Sequence, residues 1–156
     1  MIKFSRIDHR LLHGQVIFSW SKAMNITRII VIDNATAKDD FKKMSLNLSK
    51  PPDITLNIFS VAEALQKVEQ IEALEDQIML IFGGTKDALA FSKGYPKIQE
   101  INYGGIANKE GSKAFSNAIY LTEEEVTESK EMADAGIRLY MQQVPTSKLE
   151  ELNPKL

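Results

Sequence analysis

The chain has 156 residues, of which 19 are Lys or Arg and 21 are Asp or Glu, so its formal net charge is −2. This length suits a single domain with a sizeable core, and the near-neutral charge argues against a nucleic-acid-binding protein. The absence of cysteine excludes a disulfide scaffold, a zinc–thiolate site and a cysteine nucleophile. The only two histidines, His9 and His13, lie near the start, which confines imidazole chemistry to one place.

Apolar, β-branched runs alternate with helical patterns along the chain. Runs without polar alternation are typical of strands that are covered on both faces. The predicted strands are Met1–Ile7, Arg28–Asp33, Ile54–Phe59, Ile78–Phe82, Ile98–Asn102, Ala118–Leu121 and Ile137–Val144. The pattern predicts one α/β domain over residues 1–156, with an open, mostly parallel sheet of about seven strands and helices on both faces.

Helical periodicity and helix-start signals occupy the segments between these strands. The predicted helices include Gly14–Asn25, Ala37–Ser49 and Thr85–Lys93. In the second of them, Phe41, Met44 and Leu48 form an apolar stripe. Two capping boxes, which begin at Ser60 and Thr122, predict the starts of further helices.

Four loops follow predicted strands, and they should meet at the carboxyl edge of the sheet, where open α/β sheets bind ligands. These loops are Asp8–His13, Asp33–Thr36, Gly83–Thr85 and Tyr103–Gly105. The first of them contains both histidines, so it is the first place to look for a site.

The loop after the first strand contains groups that suit phosphoryl chemistry. His13 lies just before a helix start, whose unpaired N–H groups and partial positive charge favour an anion. Arg10 could offer bidentate donors to phosphate oxygens, and Asp8 could hold one ring nitrogen of His13 and leave the other free as a nucleophile. These groups favour a histidine that is phosphorylated or that binds an anion, with a buried or capping histidine as the alternative. His9 is expected to be a surface residue or one that contacts a site residue without touching the ligand.

Other residues near the same edge are candidates for binding a phosphoryl group. They are Arg6, Gly14, Gly83, Gly84, Thr85 and Asp33. The Gly-Gly-Thr segment could let backbone amides approach an anion, or it could form a tight turn in which the threonine caps a helix. The aspartate could line the pocket or form a turn. The chain has no Walker motif, and neither a metal nor a cofactor is expected.

The string from Arg6 to Val16, Arg-Ile-Asp-His-Arg-Leu-Leu-His-Gly-Gln-Val, closely resembles the N-terminal signature of the IIB components of the mannose/fructose/sorbose phosphotransferase systems. The similarity continues along the chain through Asp33-Asn34, Ile81–Gly84, Ile101–Ile106, the capping box at Thr122 and Gly136-Ile137. The resemblance implies that His13 accepts a phosphoryl group from a phosphohistidine of the IIA component. His13 would then pass the group to a sugar that crosses the membrane components IIC and IID. The family often has Asp at the position of His9.

The resemblance thus implies a cytoplasmic protein-phosphohistidine–sugar phosphotransferase subunit that acts at the membrane transporter. Its partners would be phosphorylated IIA, IIC, IID and the sugar, and a homodimer is compatible with the family. Apolar side chains beside the loop, from Leu11, Leu12 or Phe82, are expected to be partly exposed for docking. Two alternatives are a histidine-dependent phosphatase or mutase of small phosphate esters and a non-catalytic regulatory binding module with the same fold.

Overall fold

A computed structural model describes residues 1–156, in which strands and helices alternate. The strands are β1 (Ile2–Asp8), β2 (Arg28–Ile32), β3 (Thr55–Phe59), β4 (Ile78–Phe82), β5 (Glu100–Gly105), β6 (Lys113–Ala114), β7 (Tyr120–Leu121), β8 (Arg138–Met141) and β9 (Glu150–Glu151). The helices are α1 (Gly14–Ala23), α2 (Asn34–Ala37), α3 (Asp40–Ser49), α4 (Val61–Gln66), α5 (Val68–Ala73), α6 (Thr85–Gly94) and α7 (Glu123–Asp134), followed by a 3-10 turn over Asn153–Lys155. None of these helices combines the length and the apolar character that a bilayer crossing requires.

Seven strands form one sheet in the order β3-β2-β4-β1-β5-β8-β9, and every neighbouring pair is parallel except β8 and β9. The predicted open, mostly parallel sheet is therefore confirmed. The predicted strand Ala118–Leu121 is not one of the seven: β7 pairs with β6 in a separate antiparallel hairpin, and an isolated parallel bridge joins Ile119 to Ile106, just after β5. The short strand β9 takes the edge position instead. Its two glutamates carry no apolar pattern, so periodicity does not reveal it.

Helices cover both faces of the sheet, as predicted. On one face, Trp20 of α1 and Leu46 of α3 belong to an apolar cluster with residues of β2 and β4. On the other face, Phe91 of α6 and Met132 of α7 belong to a larger cluster. The central strands are apolar on both sides because both sides are covered.

The loop after β1 lies at the point in the sheet where the connecting helices change from one face to the other. The chain leaves β1 through α1 on one face, whereas it leaves the neighbouring strands β4 and β5 through α6 and α7 on the other face. Helices that diverge in this way open a crevice at the carboxyl ends of the strands. The four loops selected from the sequence follow β1, β2, β4 and β5, which are neighbours in the sheet.

Helix α3 buries a different side from the one that its apolar stripe suggests. Phe41, Met44 and Leu48 are 82%, 63% and 83% exposed, and Leu46 is the buried residue of the helix. The helix begins where the Asp39 carboxylate accepts a hydrogen bond from the amide of Lys42. With its start fixed there, Leu46 packs into the core and the stripe is left facing solvent.

This orientation gives a paired prediction for two leucines of one helix. Leu46→Ala is expected to lower the free energy of unfolding by about 2–5 kcal/mol, because it leaves a cavity in the core. Leu48→Ala is expected to change it by no more than about 0.5 kcal/mol, because the side chain is exposed. Denaturant unfolding of both variants measures the difference. Equal losses would show that the stripe is buried.

Candidate functional site

A tight turn carries the chain from β1 into the loop that contains both histidines. The amide of Leu11 donates to the carbonyl of Asp8 at 2.9 Å, and Leu11 has a φ of +60°, which is uncommon for a residue other than glycine. Such a conformation costs about 1–2 kcal/mol. Leu11 and Leu12 are both buried, so their packing holds the loop in place. The expectation that these leucines or Phe82 would be exposed for docking is wrong, since all three belong to the core.

His13 is an exposed residue at the start of α1. It occupies the N-cap position, but its side chain forms no capping hydrogen bond, so the alternatives of a buried or a capping histidine are wrong. The first turn of α1 contains no acidic residue. By contrast, α4 and α7 begin with the predicted capping boxes, in which Ser60 pairs with Glu63 and Thr122 with Glu125. The start of α1 is therefore left open to an anion.

The carboxylate of Asp8 holds Arg10 in this loop. Asp8 is 1% exposed and accepts hydrogen bonds from the backbone N of Arg10 at 3.0 Å, from its Nε at 3.2 Å and from its Nη2 at 3.4 Å. Arg10 is 29% exposed, and its hydrogen bonds to Asp8 leave Nη1 without a protein partner. The predicted contact between Asp8 and the ring of His13 is not formed, since the carboxylate contacts Arg6, Arg10 and His9 instead. His9 is at the surface, as expected, with Nδ1 3.8 Å from Asp8 Oδ1.

Arg6 lies beneath the loop and cannot reach a phosphoryl group on an exposed histidine. It is 1% exposed, and it donates to Asp8 Oδ2 at 3.0 Å, to Asn102 Oδ1 at 2.6 Å and to the carbonyl of Gln142 at 3.2 Å. Burial lowers the pKa of Arg6, and the charge of Asp8 opposes that shift. The prediction that Arg6 binds phosphate is therefore wrong. Sequence reasoning missed Asn102, whose signal is a polar residue inside a predicted strand.

The Gly83–Thr85 loop forms a packed turn rather than an anion site. Thr85 is buried, and its hydroxyl donates to a carboxylate oxygen of Glu128 at 2.8 Å, which places negative charge beside the start of α6. Gly84 is the N-cap, so the capping residue is not Thr85. A Cβ at Gly83 would lie 2.9 Å from Cγ of Asp33, which explains glycine at that position. These contacts favour the tight-turn alternative, although the N-cap is Gly84 and not the threonine.

Asp33 belongs to an acidic corner next to that turn. Its carboxylate caps α2 by accepting hydrogen bonds from the amide and the hydroxyl of Thr36. The carboxylate of Asp87 accepts hydrogen bonds from the backbone amide of Asn34 at 2.8 Å and from its side chain at 3.3 Å. Burial raises the pKa of Asp87, the backbone bond from Asn34 opposes the shift, and the charge of Asp33 adds to it. Asp33 therefore has the turn-forming role that was its alternative, and two adjacent carboxylates at this corner disfavour phosphate.

The raised pKa of Asp87 makes stability depend on pH. The protonated form is favoured in the folded state, so this contribution is present below the ordinary value of 3.8 and is lost as pH rises through the folded pKa. Asp87→Asn removes the titration. Between about pH 3 and pH 6, the free energy of unfolding of the unsubstituted protein is expected to fall relative to that of Asp87→Asn. Denaturant unfolding at several pH values tests this, and parallel profiles would contradict it.

A shallow groove of about 270 Å³ lies beside the loop. Its polar and aromatic lining includes His9, Arg10, Asn117, Tyr120 and Gln143. The indole Nε1 of Trp20 donates to the backbone carbonyl of Gln143 at 2.9 Å and thereby ties this wall to α1. The groove gives a ligand or a partner loop access to the exposed side of Arg10.

Known proteins resemble this chain along almost its whole length. The model of the family described as PTS system sorbose subfamily IIB component matches residues 2–156. The sorbose-specific EIIB component of Lacticaseibacillus casei is 29% identical over 156 residues, which are 100% of this chain and 95% of that protein. The IIBSor domain of the sorbose permease from Klebsiella pneumoniae has a similar solved structure, with a TM-score of 0.92 and 26% identity over 99% of this chain and 95% of that one.

Some relatives are longer than this chain. The mannose-specific EIIAB component of Escherichia coli strain K12 is 32% identical over 146 residues, which are 94% of this chain but only 45% of that protein. The chain therefore spans about half the length of that relative. These matches do not favour a phosphatase, a mutase or a regulatory module.

Proposed function

The chain belongs to the sorbose subfamily of IIB components of the phosphotransferase system, and we propose that it carries a phosphoryl group on His13 from a phosphorylated IIA component to a sugar. One observation carries this proposal. His13 is exposed at the N-cap of α1, and its side chain forms no capping hydrogen bond. It follows Arg10 by three residues, and the buried carboxylate of Asp8 holds that arginine in place. The family match over residues 2–156 supports the same role.

In the first step, a ring nitrogen of His13 attacks the phosphorus of the phosphohistidine on the donor. One N–P bond forms as another breaks, so the step exchanges equivalent bonds without a cofactor. The charge on the equatorial phosphoryl oxygens must be stabilised by positive groups and by N–H donors. This chain supplies Nη1 of Arg10, the amide of Gly14 and the positive end of α1.

In the second step, a hydroxyl group of the sugar attacks the phosphorus of phosphorylated His13. An O–P bond forms as the N–P bond breaks, and the hydroxyl gives up its proton. The ring nitrogen regains its lone pair at the same time, can accept that proton and then gives it to water. The chain therefore returns to its starting state after each transfer.

Both partners of such a carrier must reach the same histidine in turn. We infer that phosphorylated IIA and the membrane components IIC and IID dock around His13, with the sugar presented by IIC and IID. Peripheral association with the transporter on the cytoplasmic side belongs to this proposal. The exposed histidine and the shallow groove beside Arg10 suit short-lived contacts with two proteins. The proposed groups all come from one chain, so transfer does not require a homodimer, although the family resemblance is compatible with one.

Mapping the phosphorylated residue tests the proposal. The protein is incubated with a phosphorylated IIA component, and the modified residue is located by fragmentation mass spectrometry at alkaline pH, where phosphohistidine survives. One acid-labile phosphoryl group is expected on His13, and His9→Gln, the matched control, is expected still to carry its phosphoryl group on His13. Membranes that contain IIC and IID should then release the group to sorbose or mannose, the sugars named for the relatives. Label on another residue would contradict the proposal.

A further inference from the structure

A closed set of hydrogen bonds lies beneath the loop that carries Arg10. Nη1 of Arg6 donates to Oδ1 of Asn102 at 2.6 Å and to the carbonyl of Gln142 at 3.2 Å. The side-chain amide of Asn102 donates to the same carbonyl at 3.0 Å. Asn102 has no exposed surface. The network therefore joins β1 and β5 to the chain just after β8 and fixes the guanidinium of Arg6.

The other end of Arg6 meets the carboxylate that holds Arg10. Asp8 accepts from Nη2 of Arg6 and from both Nε and Nη2 of Arg10. One carboxylate is thus shared by two guanidinium groups, of which only that of Arg10 reaches solvent. Because Nε and Nη2 of Arg10 face Asp8, the planar guanidinium leaves Nη1 as the free donor.

Two glycines of β5 make room for this arrangement. A Cβ at Gly104 would collide with the guanidinium of Arg6. A Cβ at Gly105 would lie 3.1 Å from Oδ1 of Asp8 and 3.4 Å from Nη2 of Arg10. The indole of Trp20 lies over Arg6, with 5.6 Å between the ring centroid and Cζ. The room left by the two glycines and the contact with Trp20 therefore fix one position for the guanidinium of Arg6.

We propose that Asn102 and Arg6 are positioning residues, which act through Asp8 to hold Arg10 toward the phosphoryl group. This inference rests on the function proposed above. Without Oδ1 of Asn102, Arg6 loses a buried hydrogen-bond partner. Its guanidinium then moves toward Asp8 and competes with Arg10 for the carboxylate oxygens. The hydrogen bonds from Arg10 to Asp8 then weaken. Misplacement of a group that contacts the reacting atoms costs up to about 100-fold in rate.

A double-mutant cycle tests whether Asn102 acts through Arg10. Asn102→Ala is expected to slow phosphoryl transfer from IIA by about 10- to 100-fold. In an Arg10→Ala background, the same substitution is expected to slow transfer by less than about twofold, because the group it positions is gone. Equal slowing in both backgrounds would overturn the proposal. Arg6→Lys, whose single ammonium replaces the forked guanidinium, gives a second cycle should Asn102→Ala fail to fold.

A matched control separates positioning from stability. Ser129 is also fully buried, and its hydroxyl forms a hydrogen bond with the hydroxyl of Tyr103 at 2.7 Å on the opposite face of the sheet. Ser129→Ala is expected to lower stability without slowing transfer. Slowing as large as that of Asn102→Ala would count against the proposal.

A nuclear magnetic resonance measurement tests the same inference without any transfer. The Nε–H signal of Arg10 is expected to exchange faster with water in Asn102→Ala than in the unsubstituted protein, while Ser129→Ala leaves it unchanged. An unchanged signal in Asn102→Ala would overturn the positioning role. A protein that is not phosphorylated on His13 would overturn only the proposed function.

Discussion

Replacing His13 by asparagine is expected to abolish phosphoryl transfer and to stabilise the protein. The side-chain amide cannot replace the nucleophilic ring nitrogen, so acceptance from IIA should fall to background. His13 occupies the N-cap of α1 without making the capping hydrogen bond. Asparagine is among the best N-cap residues, because its oxygen accepts from an otherwise unpaired amide of the first turn. A gain of about 1 kcal/mol in the free energy of unfolding follows.

Two measurements on the same preparation check this prediction. Denaturant unfolding gives the stability, and radiolabelled phosphate transferred from IIA gives the activity. His13→Ala is the matched control, and it should lose activity while its stability changes by no more than about 0.5 kcal/mol, because no capping bond is removed. A less stable His13→Asn variant would mean that the start of α1 is not open. Such an exchange of stability for function is common at active sites.

The fold could be predicted from the sequence where its causes are local. The apolar run Ile29–Ile32 and the capping box at Ser60 form the structures that they predict. The orientation of α3 could not be predicted in this way. Its stripe of Phe41, Met44 and Leu48 has helical periodicity but faces solvent. Periodicity identifies an apolar side, but only packing against the sheet decides which side is buried.

The same distinction applies to the site: residues placed by local sequence could be predicted, and residues placed by distant contacts could not. The short string from Asp8 to His13 brings Arg10 and the exposed histidine to one loop, so sequence reasoning could identify both. The role of Arg6 depends on Asn102, which is 96 residues away. Read alone, Arg6 looks like a second phosphate-binding arginine. Only the pairing of β1 with β5 shows that it is buried.

Replacing Asp8 by asparagine is expected to cause a large loss of stability. The carboxylate is the one anionic partner of Arg6, and both side chains are 1% exposed. Asparagine keeps an oxygen that can accept a hydrogen bond but removes the charge. A buried cation that loses its partner costs about 3–5 kcal/mol, because it has given up its hydration without compensation. Phosphoryl transfer should fall as well, because Arg10 loses the group that orients it.

Chemical denaturation of Asp8→Asn measures the loss, and an exposed ion pair supplies the comparison. Glu131 pairs with Lys93 at 2.9 Å on the surface, so Glu131→Gln is expected to cost less than about 1 kcal/mol. Adding Arg6→Met to Asp8→Asn removes the stranded cation and is expected to restore part of the stability, since apolar groups can replace a buried ion pair. Transfer should not recover, because Arg10 remains without its carboxylate. If Asp8→Asn and Glu131→Gln cost the same, Arg6 does not depend on Asp8 for its burial.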